Sequence, residues 1–148
     1  MARSKYNVSD DKQKRTYNFI LFDSVLEMKY YRDVVCPLEK SGDITHCELQ
    51  KEYELQPKFV HDNKTVQPIK YIADFYIQYK DGREEVIDTK GQPDHVALLK
   101  RKMFWFKYPD VKYRWICYSK IDGGWIDYED LKKCRLKRKI EKKEKEKA

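Results

Sequence analysis

Asp74 and Asp88 stand on either side of an Asp-Gly turn, and Lys90 follows Asp88 two positions later. Carboxylate oxygens are the ligands that hard divalent cations such as Mg²⁺ take. A lysine two residues beyond a carboxylate on an extended strand emerges on the same face. Whether the two carboxylates meet depends on the turn. Ile69 to Tyr79 and Arg83 to Lys90 are rich in aromatic and β-branched residues, and the Lys80-Asp81-Gly82 turn between them reads as a β-hairpin. A two-residue loop would send Asp74 and Asp88 to opposite sides of the sheet. A three-residue loop places Tyr79 opposite Arg83 and Asp74 opposite Asp88, with Gly82 where a left-handed backbone is needed. The second register is favoured. It puts Asp74, Asp88 and Lys90 on one face, and Phe75, Ile77 and Ile87 on the other. Facing carboxylates repel each other, so strand stability does not account for them. A bound cation would remove the repulsion. Taken singly, each residue reads equally well as an ordinary exposed side chain on a half-solvated sheet, and the combination is what points to a site.

The elements that must hold these residues follow from periodicity. Met1 to Arg15 is polar and aperiodic and reads as a mobile arm. A helix starts at Asp23-Ser24 and runs to Val35, with Pro37 expected to end it. Its faces are Val25, Met28, Arg32 and Val35, and Leu26, Tyr30 and Val34. Ile44 to Phe59 is extended, with Glu48, Gln50 and Glu52 alternating with Cys47, Leu49 and Tyr53, and Pro57 at its edge. His61 to Lys64 is a turn. Asp94 caps a second helix in which Val96, Leu99, Met103 and Phe106 recur at helical spacing and Leu98 and Trp105 widen the apolar face. Pro109 stops it. Tyr113 to Tyr118 is a short apolar strand, Ile121 to Tyr128 an irregular turn, and 129–148 a basic tail, helical or disordered. The order α-β-β-β-α-β predicts an α/β domain over 16–128, with one mixed sheet flanked by helices.

Composition sets bounds on partners. Of 32 Lys and Arg residues against 25 Asp and Glu, ten and three respectively lie between Lys132 and Lys147. The remainder carries 22 of each, so the net charge of +7 belongs to the tail and not to the body. No apolar run nears the ~20 residues of a membrane span. With no signal segment visible, a cytoplasmic setting is expected. Cys36, Cys47, Cys117 and Cys134 show no zinc spacing, and reduced structural thiols are expected.

With Glu27 on the first helix, the ordered set Glu27, Asp74, Asp88-x-Lys90 resembles the PD-(D/E)XK nuclease superfamily. In that superfamily an acidic residue on the first helix joins an Asp on one strand and a (D/E)-x-K on the next. The stretches 54–59, 69–75, 88–91, 98–102 and 106–109 look closer still to small phage and prophage proteins near Holliday-junction resolvases and transposon-end endonucleases. Ala73 stands where the motif's name has proline. The resemblance implies a restriction-endonuclease-like fold, with Asp74 and Asp88 holding Mg²⁺ or Mn²⁺. The carbonyl of Thr89 would be a further ligand, and Glu27 would complete the site directly or through water. Lys90 would orient the attacking water or stabilise phosphate charge. Gln56, before Pro57, matches a Gln-Pro element that contacts the site in the family.

Other assignments have plain structural alternatives. Ser24-x-x-Glu27 also fits a capping box. Lys100 and Lys102, and Lys132, Lys133 and Arg135 of the tail, are candidates for DNA phosphates, or else solvated faces. Trp105 and Phe106 are read as core, and His61 and His95 as surface residues. The expected function is Mg²⁺-dependent hydrolysis of DNA, endonuclease rather than exonuclease, on branched or recombining DNA in a phage or prophage. The alternative is a non-catalytic DNA-binding or recombination-partner protein of the same fold. Cutting both strands often requires a two-fold dimer, which makes a homodimer a candidate assembly.

Overall fold

The computed structural model describes residues 11–148. Most of the expected arm lies outside that range. Its last part is not loose: Lys12–Arg15 forms a 3-10 turn capped by Asp11, and Arg15 Nη1 donates to the carbonyls of Phe22 (3.1 Å) and Asp23 (3.2 Å). A small hairpin follows, β1 (Thr16–Tyr17) and β2 (Ile20–Leu21).

Ser24 caps helix α1 (Val25–Tyr30), its hydroxyl accepting from the Glu27 amide at 3.0 Å. The helix does not end at Pro37, as the sequence predicts. Tyr31–Val35 is a π-helical turn, in which the Cys36 amide donates to the Tyr31 carbonyl, and α2 (Cys36–Lys40) continues from it. The wider turn restarts the hydrogen-bond ladder, so Pro37 falls in the first turn of α2, where a missing N–H costs least.

The main sheet has five strands. They are β3 (Ile44–Gln56), β6 (Ile69–Tyr79), β7 (Glu84–Thr89), β8 (Lys112–Ser119) and β9 (Gly124–Asp127), side by side in that order. Only β7 and β8 run parallel, joined through helix α3 (His95–Lys107); the other neighbours are antiparallel. The sheet is therefore mixed and flanked by helices, an α/β fold as expected. β3 stops at Gln56 before Pro57. The extended run expected to reach Phe59 is instead interrupted there, and Phe59–His61 (β4) pairs with Lys64–Val66 (β5) as a separate exposed hairpin. The segment read as an irregular turn before Tyr128 is β9, paired to β8. Gly123-Gly124 before Trp125-Ile126 was a hairpin signal in the sequence. The basic tail is helix α4 (Tyr128–Lys147), whose Leu131 is buried.

Two apolar clusters occupy the two faces of the sheet. One joins Met28, Tyr30 and Val35 to Phe75, Ile77, Ile87 and Ile116. The other joins Tyr53, Leu55, Tyr71, Tyr76 and Val86 to Phe104 of α3. Here the sequence reading of α3 is corrected. Phe104 is wholly buried, whereas Val96, Leu99 and Trp105 are exposed and Phe106 is 91% exposed. Of the 96-99-103-106 stripe only Met103 packs in this core, where Phe104 and Tyr108 on the adjacent face join it. Periodicity identifies a face without saying which face meets the sheet.

Candidate active site

The hairpin between β6 and β7 has the three-residue loop. Tyr79 and Arg83 are joined by a backbone hydrogen bond of 2.9 Å, Gly82 has φ 88°, and Phe75 pairs with Ile87. That register carries Asp74 to the level of Asp88. Asp74 Oδ2 accepts from the Thr89 amide at 2.8 Å and from its hydroxyl at 3.0 Å. Thr89 thus enters the cluster through its amide and hydroxyl, locking Asp74 to the neighbouring strand.

Simple alternation fails at this point of the sheet. Phe75 packs in the α1-side cluster, but Ala73, two residues away, belongs to the α3-side cluster. On β3, Leu49 and Tyr53 divide in the same way, although the sequence placed them on one face. The break lies at Gln50 and Asp74, which the ladder passes over between its Leu49–Phe75 and Lys51–Ala73 pairs. Gln50 has φ 56°, in the left-handed region that only a small fraction of non-glycine residues occupy. Such irregularities re-aim a side chain. Gln50 Nε2 reaches Glu27 Oε2 at 3.3 Å.

Glu27 is buried on α1. Its other carboxylate oxygen lies 3.5 Å from the Ser24 hydroxyl, so the capping and site roles are divided between its two oxygens. Burial, with Asp23 and Asp88 nearby, pushes its carboxyl up to about 7. Asp74 is pushed up strongly as well, by burial first and then by Asp88 and Glu27. Asp88 is 4% exposed. Its Oδ2 is paired with the Lys90 ammonium. The Lys90 ammonium also lies over the Trp115 ring, 5.2 Å from its centre. Glu27, Asp74, Asp88 and Lys90 therefore converge from α1, β6 and β7.

Among the described residues no group of three His, Cys, Asp or Glu side chains stands ready to hold a metal ion. The partners explain this: Thr89 holds Asp74, Ser24 and Gln50 hold Glu27, and Lys90 holds Asp88. The chemistry of the donor set still fits a hard divalent cation. It consists of carboxylate oxygens alone, gathered against their own repulsion.

The candidate nucleic-acid residues divide. Gln56 ends β3 opposite Ile69, and the glutamine placed beside Glu27 is Gln50. Nothing in the sequence marked Gln50, because a left-handed φ at a non-glycine residue has no composition signal. Lys102 is exposed on α3 and Lys100 half-buried. Lys132, Lys133 and Arg135 are exposed on α4, where Lys132 pairs with Glu129 at 2.8 Å. Helix α4 packs against β8 and β9, and Arg135 and Lys90 both act electrostatically on the Cys117 thiol of β8. All four cysteines are free thiols.

Among the described residues no helix is long and apolar enough to cross a membrane. The family model described as "Protein of unknown function (DUF1064)" matches residues 3–124. Among curated proteins none matches the chain.

Proposed function

The chain belongs to the DUF1064 family, and from the geometry of its own residues we propose that it is a metal-dependent deoxyribonuclease of the PD-(D/E)XK type. The observation that carries this reading is the convergence of three carboxylates and one ammonium from separate elements of the fold. Asp74 and Asp88 would hold Mg²⁺ or Mn²⁺, with Glu27 bound directly or through water. A cation so held neutralises phosphate charge and supplies hydroxide at neutral pH. Lys90 brings its ammonium to the same place, where it orients water or stabilises charge on the phosphate under attack. Thr89 fixes Asp74, Gln50 fixes Glu27, and Trp115 backs Lys90.

DNA is the proposed substrate because α4 presents a basic surface, and endonucleolytic cutting of branched or recombining DNA is the preferred form. A homodimer would allow both strands to be cut. One observation favours a non-catalytic DNA-binding protein instead: the side chains that would hold the cation are all engaged by neighbours.

Incubation of plasmid and junction DNA with Mg²⁺ or Mn²⁺ separates the two readings. The nuclease reading expects cleavage that Asp88→Asn and Lys90→Ala abolish while DNA binding persists. Wild-type protein that binds DNA and never cuts it would leave only the binding module. Calorimetric titration of Mn²⁺ into wild type and Asp74→Ala is the direct check on the metal, and equal heats would remove it.

A further inference from the structure

Next to the acidic cluster, between α3, β8 and the start of α4, lies a cavity of about 280 Å³. Arg101, Trp105, Tyr113, Trp115, Tyr128 and Glu129 line it. The Arg101 guanidinium lies 4.2 Å from the Trp115 ring centre, 4.6 Å from that of Trp105 and 5.8 Å from that of Tyr128. Trp115 and Tyr128 meet edge to face at 5.5 Å, and Trp115 Nε1 donates to the Tyr113 hydroxyl at 2.7 Å, so these walls are fixed. Arg101 Nη1 is held by Glu129 at 2.9 Å, but its Nε is buried without an acceptor. The cavity and the acidic cluster share the Trp115 ring, which also carries the Lys90 ammonium.

The lining selects its occupant. Aromatic walls set edge to face favour a flat guest, and the site's own guanidinium already fills the place a cationic guest would take. Arg114 also lines the cavity, but Asp127 and Glu85 hold its guanidinium as Glu129 holds that of Arg101, so neither is free for a phosphate, while Asp127, Glu129 and Asp130 offer acceptors to exocyclic amino groups. A nucleobase meets all of these conditions; a phosphate, a lysine or an aliphatic side chain does not. We propose that this cavity receives one unstacked nucleobase of a DNA strand passing over Lys90, so that the substrate class is DNA with an unpaired nucleotide at the cleavage point. The proposal rests on the nuclease reading for its choice of polymer. Trp105, 46% exposed at the mouth, would supply the outer stacking face.

The test is binding without cleavage, in chelator, to labelled duplexes that differ only by one bulged nucleotide. Wild type is expected to prefer the bulged duplex about tenfold, the scale of stacking one base on an aromatic ring. Trp105→Ala should lose that preference while still binding paired duplex, and Trp105→Phe should restore most of it. In a parallel measurement on wild type alone, 2-aminopurine at the bulge should change its fluorescence on binding, and the same base inside the paired duplex should not. Equal binding of both duplexes, or a preference that survives Trp105→Ala, overturns the pocket. Bulge preference without any Mn²⁺-dependent cleavage would sink the nuclease reading and leave the pocket standing; cleavage without bulge preference does the reverse.

Discussion

Glu27 shows what one buried residue costs and what it reports. Its carboxyl is raised from 4.5 to about 7, chiefly by burial. The folded state therefore holds a proton that the unfolded state has already released between those two values. Stability contributed by the protonated form is full below about pH 4.5 and is lost as pH rises toward 7, and Asp74, displaced in the same direction, adds to the slope. In chelator, urea unfolding should accordingly give a less stable protein at pH 8 than at pH 5. Glu27→Gln should flatten that dependence and stabilise the pH 8 protein by up to about 3 kcal/mol, because a tenfold change in proton affinity is worth roughly 1.4 kcal/mol. An unchanged pH slope in the variant would show that Glu27 is not held as described.

At the scale of elements, α3 matters twice, because its inner face builds the sheet's second core and its outer face stays apolar in solvent. Phe104 is wholly buried among Tyr53, Tyr71, Tyr108 and Tyr113, with ring centres 4.6 to 5.6 Å away. Phe104→Ala should cost about 3–5 kcal/mol in chemical denaturation. Phe106→Ala, on the same helix, should fall within about 0.5 kcal/mol of wild type. Equal costs would mean that the helix is rotated from its described position. The sequence showed helix α3, its Asp94 cap and its stop before Pro109, since these are local. The choice of face was not legible, because Phe104 and Phe106 are chemically alike and only packing against β3 and β6 distinguishes them. Pro37 is a similar case: its local preference ends a helix, and a π-turn that sequence does not announce lets the helix continue.

For the molecule as a whole, charge is distributed unevenly. The chain outside Lys132 to Lys147 is balanced, and that stretch of α4 carries the excess. If α4 tracks the sugar-phosphate backbone, replacing Lys132, Lys133 and Arg135 together by alanine should weaken binding to any duplex alike. The slope of log affinity against log salt should shrink by roughly 0.9 for each phosphate that is no longer neutralised. Anisotropy titrations across a salt series measure this, and an unchanged slope would make α4 a solubilising helix. The excess of basic residues in the tail was plain from the sequence. That the tail is a helix anchored by Leu131 was not.

The chain's own order of residues determined the hairpin register, because loop length and Gly82 are local constraints, and with it the meeting of Asp74, Asp88 and Lys90. It also determined that Glu27 would stand in the first turn of a helix capped by Ser24. Only the tertiary structure decided the rest: the break in alternation at Gln50 and Asp74, the glutamine that braces Glu27, the strand added at Gly124–Asp127, and the aromatic cavity around Arg101. Each of these depends on segments far apart in the chain coming together, and such meetings leave no periodic trace in the sequence.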